Sequence, residues 1–258
     1  MALPAVILAG GRGSRLKLLA DYVPKPMWFV PGGSLLDHHI QRLAAGGASL
    51  VIVTCSYKAD IMTSYIESRY PDCLIVRTAE NVDTPLDAIL SVADHLHTDF
   101  VVVHGDHWFS QNPFENLFAQ HIAGELTFLI ERQPDSSKKA GYDSRCLMHS
   151  ASKELHYLTH QRTSPSYDLE DVRTVDGCMV FPKETFAIGR QVKAKTSMAK
   201  DKRRGKSKSQ PDGMRQLFTH IATNRLVTMR GVPLIGWWEN INTQEALALT
   251  VERIYLEM

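Results

Sequence analysis

At 258 residues the chain is long enough to bury a sizeable core, as one large domain rather than several. Its 29 Lys and Arg balance 28 Asp and Glu to a formal net charge of +1, which gives no global pull toward nucleic acid or an anionic membrane. No apolar run approaches the ~20 residues that span a bilayer, and the N-terminal residues lack a signal-peptide pattern, so a cytoplasmic location is expected. The first element is a short apolar run, Ala5 to Leu8, which reads as a buried strand. Gly10, Gly11 and Gly13 follow it at once, where backbone N–H groups meet no side-chain obstruction and can approach phosphate. Arg15 adds a planar, permanently charged fork for phosphate oxygens. Lys25 adds a second cation, in a segment that the flanking Pro24 and Pro26 bias toward an extended form.

Further along, 35–45 and 60–69 read as helices and 50–54 and 74–77 as short buried strands. Thr84-Pro85-Leu86-Asp87 has the pattern of a helix start, with a Thr cap, Pro at the first position and an acid three residues after the cap; the helix is expected to run to about Leu96. Strand 100–104 then ends in Gly105-Asp106. This alternation predicts an α/β fold with a mixed, mostly parallel sheet and helices on both faces. Ligands bind such sheets at the carboxyl ends of the strands, where the glycine turn and Asp106 both fall. After about residue 124 the texture changes: 126–131, 145–149, 154–159 and 177–181 read as strands, and a helix starts near Lys183. Nine Lys and Arg crowd 190–210, with few apolar residues to anchor them, so this reads as a solvated loop; a cationic lid over phosphates, or a contact for an acidic partner, is the sharper reading. A helix over 243–257 closes the chain.

By itself the glycine turn admits several readings. A phosphate loop of the Walker type needs Lys-Ser/Thr at its end, which is missing, and a dinucleotide fingerprint needs a third glycine where Leu16 stands. An ordinary turn with a solvated arginine is the plain alternative. The four cysteines, Cys55, Cys73, Cys146 and Cys178, lack C-x-x-C spacing and read as reduced thiols. His104 and His107 flank Asp106 in a His-x-x-His spacing that can bind zinc or manganese, but packing is the plainer role because no third ligand lies nearby in sequence.

The joint pattern of Gly10-Gly11-Arg12-Gly13-Ser14-Arg15-Leu16 with Pro24-Lys25-Pro26-Met27 resembles the signature of the sugar-1-phosphate nucleotidyltransferases. The strand ending in Gly105-Asp106 extends the resemblance. So does Trp238-Glu239-Asn240-Ile241-Asn242-Thr243-Gln244-Glu245, which is similar to that family's W-x-D-I-G-T-P-E. The resemblance implies a three-layer Rossmann-like fold over 1–258, with a nucleotide-binding half at 1–124 and an acceptor-binding half at 125–258. It implies a nucleoside triphosphate and a sugar 1-phosphate, or a related phosphate or phosphonate acceptor, as partners, and Mg²⁺ as cofactor. Leu8, Ala9, Gly10, Gly11 and Gly13 would cradle the nucleotide, and Arg15 and Lys25 would be catalytic. Asp106 would hold the metal.

Three positions depart from the pattern. The second metal-binding aspartate falls on Asn240, with Glu239 beside it as the alternative ligand. The lysine that grips the sugar phosphate is replaced by His160-Gln161-Arg162, which makes Arg162 the candidate acceptor-binding cation. The segment near the base reads Thr84-Pro85-Leu86-Asp87-Ala88; as a hydrogen-bond acceptor Asp87 would favour guanine or cytosine, hence GTP or CTP, unless it only completes the helix cap. A non-catalytic nucleotide- or sugar-phosphate-binding module on the same fold is the competing expectation. The sequence leaves the oligomeric state open.

Overall fold

A computed structural model describes the protein over residues 2–13, 21–78, 84–131, 145–157, 169–201 and 213–258. Its frame is a run of parallel strands: β1 (Pro4–Leu8) lies between β4 (Leu50–Cys55) and β6 (Phe100–His104), and β5 (Leu74–Arg77) lies outside β4. Two two-residue strands, β2 (Phe29–Val30) and β3 (Gly33–Ser34), form a hairpin ahead of helix α1 (Leu35–Ala45). Next come α2 (Ala59–Arg69), α3 (Pro85–Ser91) and α4 (Phe114–Gln120).

The second half extends the same sheet. Strand β11 (Leu169–Phe181) runs antiparallel to β6, to β8 (Leu126–Glu131) and to β9 (Arg145–His149); β10 (Leu155–Tyr157) closes against β9, and β12 (Met229–Pro233) lies parallel to β8. Nine strands thus form one mixed sheet among the described residues. Helices α5 (Thr185–Asp201), α6 (Gly213–Asn224) and α7 (Gln244–Glu257) complete the order, with a short antiparallel ribbon of β7 (His107–Phe109) and β13 (Trp238–Asn240) beyond the end of β6.

Strand pleating sorts the apolar residues into two cores, one per face. Val6, Ile52 and Val102 face Leu86 and Ile89 of α3, Phe186 and Val192 of α5, and Leu217 and Ile221 of α6. Their neighbours Ala5, Ile7, Val53, Val101 and Val103 face Leu36, Ile40 and Leu43 of α1, Met62 and Ile66 of α2, and Phe114 and Leu117 of α4. Continuous hydrophobic strands are therefore read as two alternating sets, and the result is the expected three-layer arrangement. A third, smaller cluster of Trp28, Val30, Leu35, Trp108 and Ile241 seats α7 through Leu247, Val251 and Ile254. No helix of the described residues is long and apolar enough to cross a membrane.

Four expectations are corrected. Lys25 is not extended; it opens a 3-10 turn, Lys25–Met27, closed by Met27 N–H on Pro24 O at 2.9 Å and Trp28 N–H on Lys25 O at 3.1 Å. The helix after Thr84 ends at Ser91 and passes through a single 3-10 turn, Ala93–His95, rather than continuing to Leu96. The strand expected at 177–181 begins eight residues earlier, at Leu169; its register shifts between Thr174 and Met179, where Gly177 adopts φ +118°. That irregularity and the charges of 170–173 hide the first half of β11 from a periodicity argument.

The basic segment is the fourth case. Its first part is not a loop: α5 runs through Arg190 to Asp201. The long unbranched side chains of Arg, Lys, Gln and Met are good helix formers, and Ile188 and Val192 bury on its inner face. Residues 202–210 lie outside the described residues.

Candidate active site

The site forms where β1 and β6 end side by side. Their parallel register pairs Leu8 with His104, and the Gly105 amide donates to the Leu8 carbonyl at 3.0 Å. The glycine turn and Asp106 therefore leave the sheet from adjacent strand ends. Ala9 is buried, Gly11 and Arg12 are exposed, and Gly13 sits at φ +63°. Ser56 Oγ holds the turn by donating to the Gly10 carbonyl at 2.7 Å. Arg15 and Leu16 lie outside the described residues, as does Arg162.

Gly105 explains how Lys25 arrives. A Cβ at this position would stand 3.0 Å from Pro26 Cγ and 3.1 Å from the Leu8 carbonyl oxygen. With hydrogen in its place, Pro26 closes onto the strand end and carries its neighbour to Asp106. Lys25 is 7% exposed; its Nζ lies 2.5 Å from Asp106 Oδ2 and 2.5 Å from Asn242 Oδ1. Two residues 81 and 217 positions away in sequence thus share one ammonium.

The other Asp106 oxygen is also engaged. Oδ1 lies 2.9 Å from His107 Nδ1. The His107 ring is fixed by near-parallel stacking on Trp238, with centroids 5.2 Å apart, and by Gly177, where a Cβ would stand 2.7 Å from the imidazole. Burial alone would raise the Asp106 carboxyl, but the hydrogen bond from His107 and the adjacent Lys25 ammonium hold it well below the usual carboxylate range. Asp106 is therefore an anion across the ordinary pH range. Burial drives His104 down to about 4 and His39 down to about 3, so both are neutral. The ligating atoms of His104, Asp106 and His107 lie within 4.8 Å of one another, closer than the sequence spacing suggested.

The β7–β13 ribbon brings the C-terminal motif to the same place. Asn240 pairs with His107 and Glu239 with Trp108, and Ile241 N–H donates to the Asp106 carbonyl at 2.9 Å. Successive side chains on a strand point to opposite faces, so Asn240 and Glu239 are directed apart. Asn240 Oδ1 is buried and accepts no hydrogen bond among the described residues. An orphaned acceptor of this kind costs free energy unless something completes it. A neutral carbonyl oxygen and a carboxylate are both hard oxygen donors of the kind that suit Mg²⁺.

Asp87 is engaged within its own helix start and by one cation. Its Oδ2 accepts from Thr84 Oγ1 at 2.9 Å, its amide donates back to Thr84 Oγ1 at 3.3 Å, and its Oδ1 pairs with Lys193 Nζ at 2.5 Å. The helix-cap reading is realised; a base contact would have to replace Lys193. Sequence reasoning missed the part played by Asn242. Its one signal was a side chain where the resembling motif carries glycine. A cavity of about 660 Å³ between α5 and α6, lined by Lys195, Thr196, Arg215 and His220 among others, shares no residue with this cluster.

Residues 4–142 match the sequence model of the family described as "Nucleotidyl transferase". The UTP–glucose-1-phosphate uridylyltransferase of Haloferax volcanii is 33% identical over 129 residues, 49% of this chain and 53% of that protein. A mannose-1-phosphate guanyltransferase of Gibberella zeae is 28% identical over 142 residues, 52% of this chain and 38% of that protein. The chain thus spans about half, or less, of the length of these relatives. The solved CTP:phosphocholine cytidylyltransferase of Streptococcus pneumoniae superposes with a TM-score of 0.69 over 98% of this chain and 100% of that one, at 15% identity, which is a likeness of fold.

Proposed function

From a chain that belongs to the nucleotidyl transferase family, we propose an enzyme that transfers a nucleotidyl group from a nucleoside triphosphate to a sugar 1-phosphate, with release of pyrophosphate. The observation that carries this reading is the meeting of Lys25, Asp106 and the glycine turn at the carboxyl ends of β1 and β6. Both reactants are strongly anionic, so the protein's task is to neutralise charge and align the attack. An acceptor phosphate oxygen attacks the α-phosphorus in line; the bond to the bridging oxygen breaks, and the electron pair leaves with pyrophosphate. A phosphate monoester dianion is already a competent nucleophile, so no side-chain base is needed.

The amides of 9–13 would cradle the phosphates, and Arg15 would meet the charge that develops on the α-phosphate and the leaving group. Lys25 would hold the triphosphate. Asp106 and Asn240 would hold Mg²⁺, which when bound neutralises phosphate charge and orients the chain of phosphates. Arg162 is the proposed cation for the acceptor phosphate. The cross-strand pairing of Asn240 with His107, whose ring meets Asp106, supports Asn240 over Glu239 as the second oxygen ligand.

For the base we favour GTP or CTP, on the acceptor character of Asp87, which would exchange Lys193 for a base donor. The relatives named above use UTP and GTP, and the structural neighbour CTP, so the base is a property to be measured on this chain. We place the protein in the cytoplasm, reading its free Cys55, Cys73, Cys146 and Cys178 as reduced thiols. Pyrophosphate release with four triphosphates crossed with a panel of sugar 1-phosphates and phosphocholine tests the proposal. Turnover with GTP or CTP and one sugar phosphate is the expected result. Preference for UTP or dTTP would remove Asp87 from base selection. Triphosphate binding with no turnover on any acceptor would favour the non-catalytic module.

A further inference from the structure

Lys25 is placed on the metal-binding carboxylate rather than in the open space where phosphates would lie. Its ammonium sits between Asp106 Oδ2 and Asn242 Oδ1, at 2.5 Å from each, and the side chain is almost fully buried. Asn242 reaches this point because its amide donates to the Asn240 carbonyl at 2.9 Å, a tight turn directly after β13, and because Thr243 then caps α7. A glycine at 242, as in the motif this segment resembles, would supply no oxygen for the ammonium. Charges taken out of water are paired or bind a metal. Asp106 thus has two alternative counter-ions, the internal ammonium and an external cation, and both cannot crowd the same oxygen without mutual repulsion.

We propose that Lys25 is the resident counter-ion of Asp106 in the ligand-free protein, parked there by Asn242, and that it leaves for the phosphates when the metal–triphosphate complex enters. Lys25 and the metal then compete for Asp106, and Asn242 is a positioning residue that sets how firmly the competitor is held. This rests on the function proposed above, because it takes Asp106 as a metal ligand. It also assigns one residue two successive roles: it shields the carboxylate in the empty site, and it grips phosphate in the filled one. The exchange makes metal binding weak until the triphosphate arrives to take Lys25 away.

The test is binding of Mn²⁺ alone to the full chain without nucleotide, read by electron paramagnetic resonance, with triphosphate affinity measured separately. Lys25→Met removes the competing charge at nearly constant length. Nucleotide-free Mn²⁺ affinity should rise about tenfold, the lower end of what an opposite charge within contact distance does to a carboxylate's affinity for a cation, while triphosphate affinity falls. Asn242→Gly should shift Mn²⁺ affinity the same way by a smaller factor, and it provides a second variant should Lys25→Met fold poorly. Asp106→Asn supplies the reference. If Asp106→Asn abolishes Mn²⁺ binding but neither Lys25→Met nor Asn242→Gly tightens it, the exchange is wrong and the metal assignment stands. If Mn²⁺ binding ignores Asp106→Asn, the metal assignment fails and takes the exchange with it.

Discussion

Asp106 illustrates how one carboxylate is held in a defined orientation by neighbours from distant parts of the chain. Lys25 is buried while the Asp106 side chain is a quarter exposed, so removing one member leaves a charge partly uncompensated, at a cost below the ~3–5 kcal/mol of a fully buried pair. The pair is therefore a constraint on the site as well as a tool of it. If Arg15 meets transition-state charge, Arg15→Ala should lower turnover by ~10²-fold or more, the scale of losing one preorganised donor. Near wild-type rates would remove the glycine turn from the active centre. If Asp106 and Asn240 hold the metal, Asn240→Asp should be tolerated and should lower the Mg²⁺ concentration for half-maximal rate. Glu239→Gln should change that concentration little, since β13 directs the two side chains apart. A large loss in Glu239→Gln, with Asn240→Asp silent, would reverse the assignment.

At the scale of the element, helix α1 shows how local sequence anchors the wall behind the site. Ser34 caps it: Ser34 Oγ accepts from Asp37 N–H at 3.1 Å, and Asp37 Oδ2 accepts from Ser34 N–H at 2.8 Å. Tyr65 and Tyr70, from α2 and its end, each donate to Asp37 at 2.7 Å. Burial would raise the Asp37 carboxyl, but these hydrogen bonds from Ser34, Tyr65 and Tyr70 bring it below its ordinary value of 3.8. A carboxyl whose folded value is depressed contributes stability that is fully present above its unfolded value and is lost as pH falls through the folded one. Urea unfolding between pH 6 and 2.5 should therefore show stability falling below about pH 4. Asp37→Asn should be less stable at neutral pH and show a shallower acid loss; an equally steep loss would place the titrating group elsewhere. The sequence showed the helix and its bounds, but not the two tyrosines, because hydrogen bonds across 28 and 33 positions leave no local pattern.

At the scale of the molecule, the sheet joins the two halves through β11, whose end lies beside β6 and whose start lies beside β9. The core behind β6 is aromatic: Phe100 stacks on Phe186 with centroids 4.8 Å apart and on Phe181 at 5.7 Å. These three come from β6, α5 and β11, so one stack ties the strand that leads into Asp106 to the second half of the chain. Phe100→Ala should cost about 3–5 kcal/mol in urea unfolding, the usual penalty for emptying a buried aromatic site. Because both faces of the sheet lean on β6, the loss should appear in a single transition. Two resolved transitions would show that the halves unfold separately.

The sequence alone determined what local physics governs. Short apolar runs separated by helical periodicities specified β1, β4, β5, β6 and the α/β layering, and Gly105-Asp106 and the glycine turn fall at adjacent strand ends as their positions implied. Thr84 and Asp87 announced a cap, and the cap is there. Tertiary structure decided the rest. The charged first half of β11 is a strand because β8 and β9 pair with it, and Arg190 to Asp201 is helical because Ile188 and Val192 find a core to enter. Lys25 turns away from its extended preference because Gly105 lets Pro26 pack, and only that approach, with Asn242 delivered from the far end of the chain, puts one ammonium on Asp106. Propensity and pattern act over a few residues, whereas a site of this kind is assembled by contacts among side chains that lie far apart in sequence.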